Sequence, residues 1–137
     1  MNALDMPANS GHPISPINMN TLNEYMEEMG EDGKESLSRL IDIFLNTTPK
    51  LVEEIRSSYP NLDLYKLNRA SHSLKSSSAI VGADRLSALC LDLEQKTRIA
   101  MQDGGIPPSG EIQSDVEEII SEFQSVLTVL DKIKKEL

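Results

Sequence analysis

The sequence is short of the residues that build covalent and metal frameworks. It has one cysteine, Cys90, and two histidines, His12 and His72, so an internal disulfide is impossible and soft ligands for a zinc site are too few. Basic residues are also scarce: 13 Lys and Arg against 22 Asp and Glu give a formal net charge of -9 over 137 residues. That balance argues against a nucleic-acid binder, because Lys and Arg supply the counterion release on which such affinity depends. No apolar run approaches the roughly 18 residues a membrane span needs. The N-terminal stretch has neither the basic start nor the apolar block of a signal peptide. A sustained period of two is missing as well, so no strand is predicted. What is present, 39% hydrophobic and 26% charged side chains, suits one soluble domain with an apolar core, expected in the cytoplasm.

Residues 1–17 hold Pro7, Pro13, Pro16 and Gly11 among small polar residues without helical or strand period, which reads as a flexible leader or linker. The folded domain is expected over 18–137. Met19, Leu22, Met26 and Met29 share one face of a short helix that the stretch from Gly30 to Gly33 should end. A second helix begins near Lys34 with the stripe Leu37, Leu40, Ile41, Phe44, Leu45, Leu51, Val52 and Ile55. The spacing persists across Pro49, whose cost inside a helix is about 3 kcal/mol, so a bend near Thr48 is expected rather than a break. Asp63 is placed to cap a third helix that buries Leu64, Leu67, Ala70, Leu74 and Val81 and ends at Gly82. Asp84 is placed to cap a fourth with Leu86, Leu89, Cys90 and Leu93, continuing toward Thr97 and Ala100. The run from Asp103 to Gly110, with Pro107 and Pro108, reads as a loop, and a long last helix carries apolar residues from Ile112 to Ile133. The fold class is therefore all-α: an antiparallel four-helix bundle with a short N-terminal capping helix.

On the third helix, at about 100° per residue, His72 lies roughly 160° from the mean apolar direction and so faces solvent. Asn68, Lys75, Ser76 and Ala79 share its side, with Tyr65 two turns before it and Arg69 at the edge. An exposed histidine alone is usually inert. Here Lys75, one turn on, can reach a charge placed on the imidazole, and Ser76 and Ala79 leave the ring open to a large partner. Residues 64–100 hold six basic side chains against three acidic ones, a net of +3, which leaves -12 for the rest of the chain. A locally basic surface around an imidazole suits an anion held on that ring, although three net charges also arise by chance on solvated helices.

The stretch from Ala70 through His72, Lys75, Ser76 and Ala79 to Gly82 and Ala83, followed by Leu86, Leu89, Cys90, Leu93 and Glu94, resembles the motif of histidine-containing phosphotransfer (HPt) domains. Leu40 to Leu45, with Thr48 and Pro49, resembles that family's second helix, and the similarity extends over roughly residues 18–135. The resemblance implies a phosphorelay intermediate in which His72 accepts a phosphoryl group from a receiver-domain aspartate and passes it to another. It implies that Lys75 contacts the phosphoryl group, and by a weaker transfer that Arg98 does. Many members have glycine where Ser76 stands. Its hydroxymethyl group either slows docking or donates a hydrogen bond to the phosphoryl oxygens.

Neutral imidazole is a suitable nucleophile near neutral pH, with an unperturbed pKa of about 6.5. Nothing resembles a magnesium site, a phosphate-cradling glycine loop or a nucleotide pocket, so the chain reads as a carrier and not a kinase, with no cofactor of its own and Mg2+ on the partner receiver only. Ser76 and Ser77 beside His72 raise the question of a hydrolase, but no Asp or Glu stands at a spacing that demands an orienting role. A kinase dimerisation helix fits less well, because Ser73 follows His72 where such helices place an acid. The alternative from another class is a helical adaptor that docks partners without being phosphorylated.

The expected partners are receiver domains of a hybrid histidine kinase or of response regulators, met by a monomer. Docking is expected on Leu22, Met26 and Met29 of the first helix with Arg69, Ala79 and Ala88, since Met side chains adapt to more than one surface. Plain core packing is the simpler account of at least two of Met19, Leu22, Met26 and Met29. Cys90 is expected to be a buried packing residue.

Overall fold

The computed structural model describes residues 15–104 and 109–137. Of the leader assigned to residues 1–17, residues 1–14, His12 among them, lie outside the described residues. Five α-helices follow in order: α1 (Met19–Met29), α2 (Gly33–Ser58), α3 (Leu64–Ile80), α4 (Asp84–Asp103) and α5 (Ser109–Glu136), with a single 3-10 turn at Gly30–Asp32. No strand occurs among the described residues. Helices α2 to α5 close a ring, each packed on its chain neighbours and α5 returning to α2, while α1 lies against α2. No described helix is long and apolar enough to cross a membrane.

The core is the union of the sequence stripes. Leu37, Ile41, Phe44 and Ile55 of α2 meet Leu67 and Leu74 of α3, Leu86, Cys90 and Leu93 of α4, and Ile112, Ile119 and Phe123 of α5. Phe44 and Phe123 tilt against each other with ring centroids 6.2 Å apart. Each large aliphatic side chain removed from water contributes roughly 1.5–3 kcal/mol, and the spacing of three and four puts one such side chain on the inner face at nearly every turn. α2 runs unbroken through Pro49. In the turn before it, the Thr47 and Thr48 hydroxyls donate to the carbonyls of Ile43 and Phe44 at 2.7 and 2.6 Å, which lets Thr48 be buried without an unmet polar group.

Three boundaries differ from the sequence reading. The leader does not extend to residue 17: Ile17 is fully buried in the core, because an apolar side chain beside the end of α3 is worth more inside than out. Asp84 is not the cap of α4. Ala83 holds that position, and the Asp84 carboxylate instead accepts from Asn18 Nδ2 at 3.1 Å. The loop assigned to 103–110 is shorter, since Asp103 ends α4 and Ser109 and Gly110 already belong to α5.

The α3–α4 turn is pinned from below by α1. Asn18 N–H donates to the Gly82 carbonyl at 2.7 Å, while Asn18 Oδ1 caps α1 by accepting from Asn20 N–H. Gly82 has φ +76°, and a Cβ there would stand 2.8 Å from the Asn18 carbonyl oxygen. Backbone conformation and close approach both demand glycine at this one place.

Candidate functional site

α3 starts where the sequence places it: Asp63 accepts from the Lys66 N–H at 3.1 Å. Its buried face includes Ala70, Ser71 and Ser78, side chains small enough to bring α4 close. Asn68 Nδ2 donates to the Glu94 carbonyl at 2.9 Å and to Thr97 Oγ1 at 3.2 Å, and Ser87 Oγ donates to the Lys75 carbonyl at 3.0 Å. These bonds fix the antiparallel register of α3 and α4 on both sides of His72.

His72 stands on the outer face with 61% of its side chain exposed. Glu94, one of the residues the sequence pattern did not single out for a role, reaches across from α4. Its Oε2 lies 2.5 Å from His72 Nδ1 and its Oε1 accepts from Lys75 Nζ at 2.6 Å. Only 13% of the Glu94 side chain is exposed. Burial by itself would push this carboxyl up; hydrogen bonds from Lys75 and His72, with the charge of Lys75, outweigh that and hold its pKa below the usual carboxylate value. An ionised carboxylate can only accept, so the proton between the two residues belongs to Nδ1. In the neutral ring the lone pair then belongs to Nε2, on the far side from Glu94. This is an oriented nitrogen nucleophile with a carboxylate behind it.

The other residues named from sequence fall into three groups. Arg69 lies beside His72 but is engaged, its guanidinium 2.6 Å from Glu54 on α2 and 5.7 Å from the centre of the Tyr65 ring. Ser76 is exposed next to His72, with its hydroxyl 3.4 Å from the His72 carbonyl; Ala79 and Ala88 are exposed too. Arg98 is exposed one turn beyond Glu94 and makes no hydrogen bond or ion pair among the described residues. Leu22 and Met26 are corrected: both are buried, because the single apolar stripe of α1 is used to close the bundle, and they offer nothing to a partner. Met29 alone of that trio is exposed.

The apolar surface near His72 lies instead between α2 and α3. A groove is lined by Leu40, Ile43, Phe44, Thr47, Ser77, Ile80 and Val81, and Ile43 and Ile80 stand 60% and 57% exposed at its rims. Exposed β-branched residues in an otherwise well-formed amphipathic pattern were the available sequence signal, since Ile43 and Ile80 fall outside the core stripes. Among the described residues no group of three or more His, Cys, Asp or Glu side chains is arranged to hold a metal ion.

Comparison with known proteins bears on what such a site does. Residues 39–126 match the Hpt domain family. "Phosphorelay protein LuxU" of Vibrio harveyi is 31% identical over 96 residues, covering 68% of this chain and 84% of that protein. "Histidine-containing phosphotransfer protein 2" of Oryza sativa subsp. japonica is 24% identical over 115 residues, covering 82% of this chain and 76% of that protein. Among solved structures, histidine-containing phosphotransfer protein B (HptB) from Pseudomonas aeruginosa PAO1 superposes with a TM-score of 0.74 at 18% identity, over 91% of this chain and 99% of that one.

Proposed function

Since this chain belongs to the Hpt domain family, we propose that it serves a phosphorelay with His72 as the residue that carries the phosphoryl group. The observation that carries this reading is the Glu94 bond to Nδ1 of an exposed imidazole. It leaves Nε2 as the one ring nitrogen free to react. The Nε2 lone pair attacks phosphorus in the aspartyl phosphate of a docked receiver. An N–P bond forms, the acyl O–P bond breaks, and the electron pair leaves with the donor carboxylate. The imidazolium charge that develops faces Glu94, which stabilises it without moving. Return of the group to a second receiver's aspartate runs the same step backward.

Lys75, held by Glu94 one turn from His72, is within reach of the phosphoryl oxygens, and the exposed Ser76 hydroxyl stands on the same side. The chain passes the group on and does not make it from a nucleotide. In this reading Mg2+ is the receiver's, no cofactor is resident, and the protein works as a monomer in the cytoplasm. The partners are receiver domains of a hybrid histidine kinase or of response regulators. They dock over His72, with Ala79 and Ser76 leaving room for a recessed aspartate and the Ile43 and Ile80 rims supplying apolar anchors.

The test is phosphorylation by a phosphorylated receiver, followed by assay for an acid-labile, alkali-stable group and by nitrogen NMR to identify the linked atom. Label on Nε2 of His72, lost in His72→Gln with helicity retained, is the expected result. Label persisting in that variant, or absent from the wild type, would overturn it.

A further inference from the structure

We propose that Lys50 of α2 is a phosphoryl-contacting residue, closing the side of the site opposite Glu94; this rests on His72 being the carrier. Facing stripes of α2 and α3 are registered at two levels. At one, Thr47 and Ile43 line a groove with Ser77 and Ile80; at the other, Glu54 is bonded to Arg69 at 2.6 Å. Lys50 lies between them, three residues after Thr47 and four before Glu54, which puts it on the same face of α2. Interpolating between the two levels sets it opposite Ser73, the neighbour of His72.

Charge accounting around the ring isolates this lysine. Lys75 is bonded to Glu94 and Arg69 to Glu54, so both nearest cations on α3 are already neutralised by a carboxylate. Lys50 is exposed and has no hydrogen bond or ion pair among the described residues. Arg98 also lacks one among them, but it is on α4, the side to which Nδ1 is turned. A phosphoryl group on Nε2 projects from the other edge of the ring, away from the Glu94 carboxylate that α4 presents to Nδ1. Two new negative charges therefore arise on a face where the Lys50 ammonium, on a long flexible stem, is held by no carboxylate among the described residues.

The experiment phosphorylates the isolated protein with phosphoramidate, whose P–N bond breaks with loss of ammonia as the N–P bond to His72 forms. Phosphorus NMR then follows the second ionisation of the phosphoryl group in wild type, Lys50→Ala, Lys50→Arg and Arg98→Ala. A cation in contact favours the dianion, so Lys50→Ala should raise that pKa by about 0.2 to 0.7 of a unit, equivalent to a roughly two- to five-fold change in the ionisation constant. Lys50→Arg should restore most of the shift, and Arg98→Ala should move it less than Lys50→Ala does. An unchanged titration in Lys50→Ala overturns the proposal and leaves His72 as carrier. Failure of the wild type to accept a phosphoryl group on His72 at all overturns the carrier reading instead.

Discussion

Glu94 of α4 touches His72 and Lys75 of α3 with its two oxygens at once, at 2.5 and 2.6 Å. One carboxylate thereby sets the ring orientation, the position of its proton and the resting place of the lysine. Glu94→Ala should release all three and slow phosphotransfer by about ten- to a hundred-fold, the usual penalty for a misplaced reacting group. Glu94→Gln keeps a hydrogen-bond acceptor and should lose less. The pair of rates, measured with one receiver, separates orientation from charge.

The same contact predicts an acid dependence. Glu94 titrates below its ordinary value of 4.5 in the fold, so its contribution to stability is complete above that value. It is lost as the pH falls through the lower folded value, because the unfolded chain takes up the proton first. Melting temperatures recorded from about pH 6 to about pH 3 should fall less steeply for Glu94→Gln than for wild type.

Lys75→Ala removes one of the two bonds to Glu94 from a partly buried position. A loss of up to about 1 kcal/mol is expected, more than an exposed lysine would cost. Its larger effect should be on the rate of transfer and the lifetime of phosphohistidine. Denaturant melts and single-turnover transfer on the same preparations check both.

Docking over the α2–α3 rims predicts that Ile80→Asp or Ala79→Arg weakens transfer from receivers ten-fold or more while phosphorylation by phosphoramidate stays normal. Glu118→Arg, exposed on α5, should change neither. Receiver-induced NMR shifts centred on α5 would contradict this placement.

Cys90 is fully buried under α3, and burial pushes its thiol up to about 12. It should react with thiol reagents only as fast as the protein opens. Cys90→Ala should cost about 1 kcal/mol and leave transfer intact.

The helices were legible because apolar side chains at spacings of three and four have one way to leave water together. Leu67, Leu74, Leu86 and Leu93 are buried as that pattern requires. Ser71, Ser78 and Thr48 are buried as well, and polarity disguised them. Ser71 and Thr48 satisfy their hydroxyls on carbonyls of their own helix, a local solution that hydropathy does not register. The exposure of His72 could be read from a helical wheel. Its bond to Glu94 could not, since it joins residues 22 apart and depends on the α3–α4 register. Leu22 and Met26 show the converse: a stripe on a short helix looks the same whether it faces a core or a partner.

The site is built almost wholly on α3, α4 and the turn between them, the most extensively packed pair in the bundle. Contacts that close so short a loop of chain form early and carry little entropic cost. Hydrogen exchange should therefore find the amides near Leu74 and Cys90 among the slowest, with α1 and the ends of α5 opening first and independently. The chemistry is then seated in a segment expected to stay closed while α1 and the ends of α5 open. A partner arriving during those openings meets the imidazole already aimed.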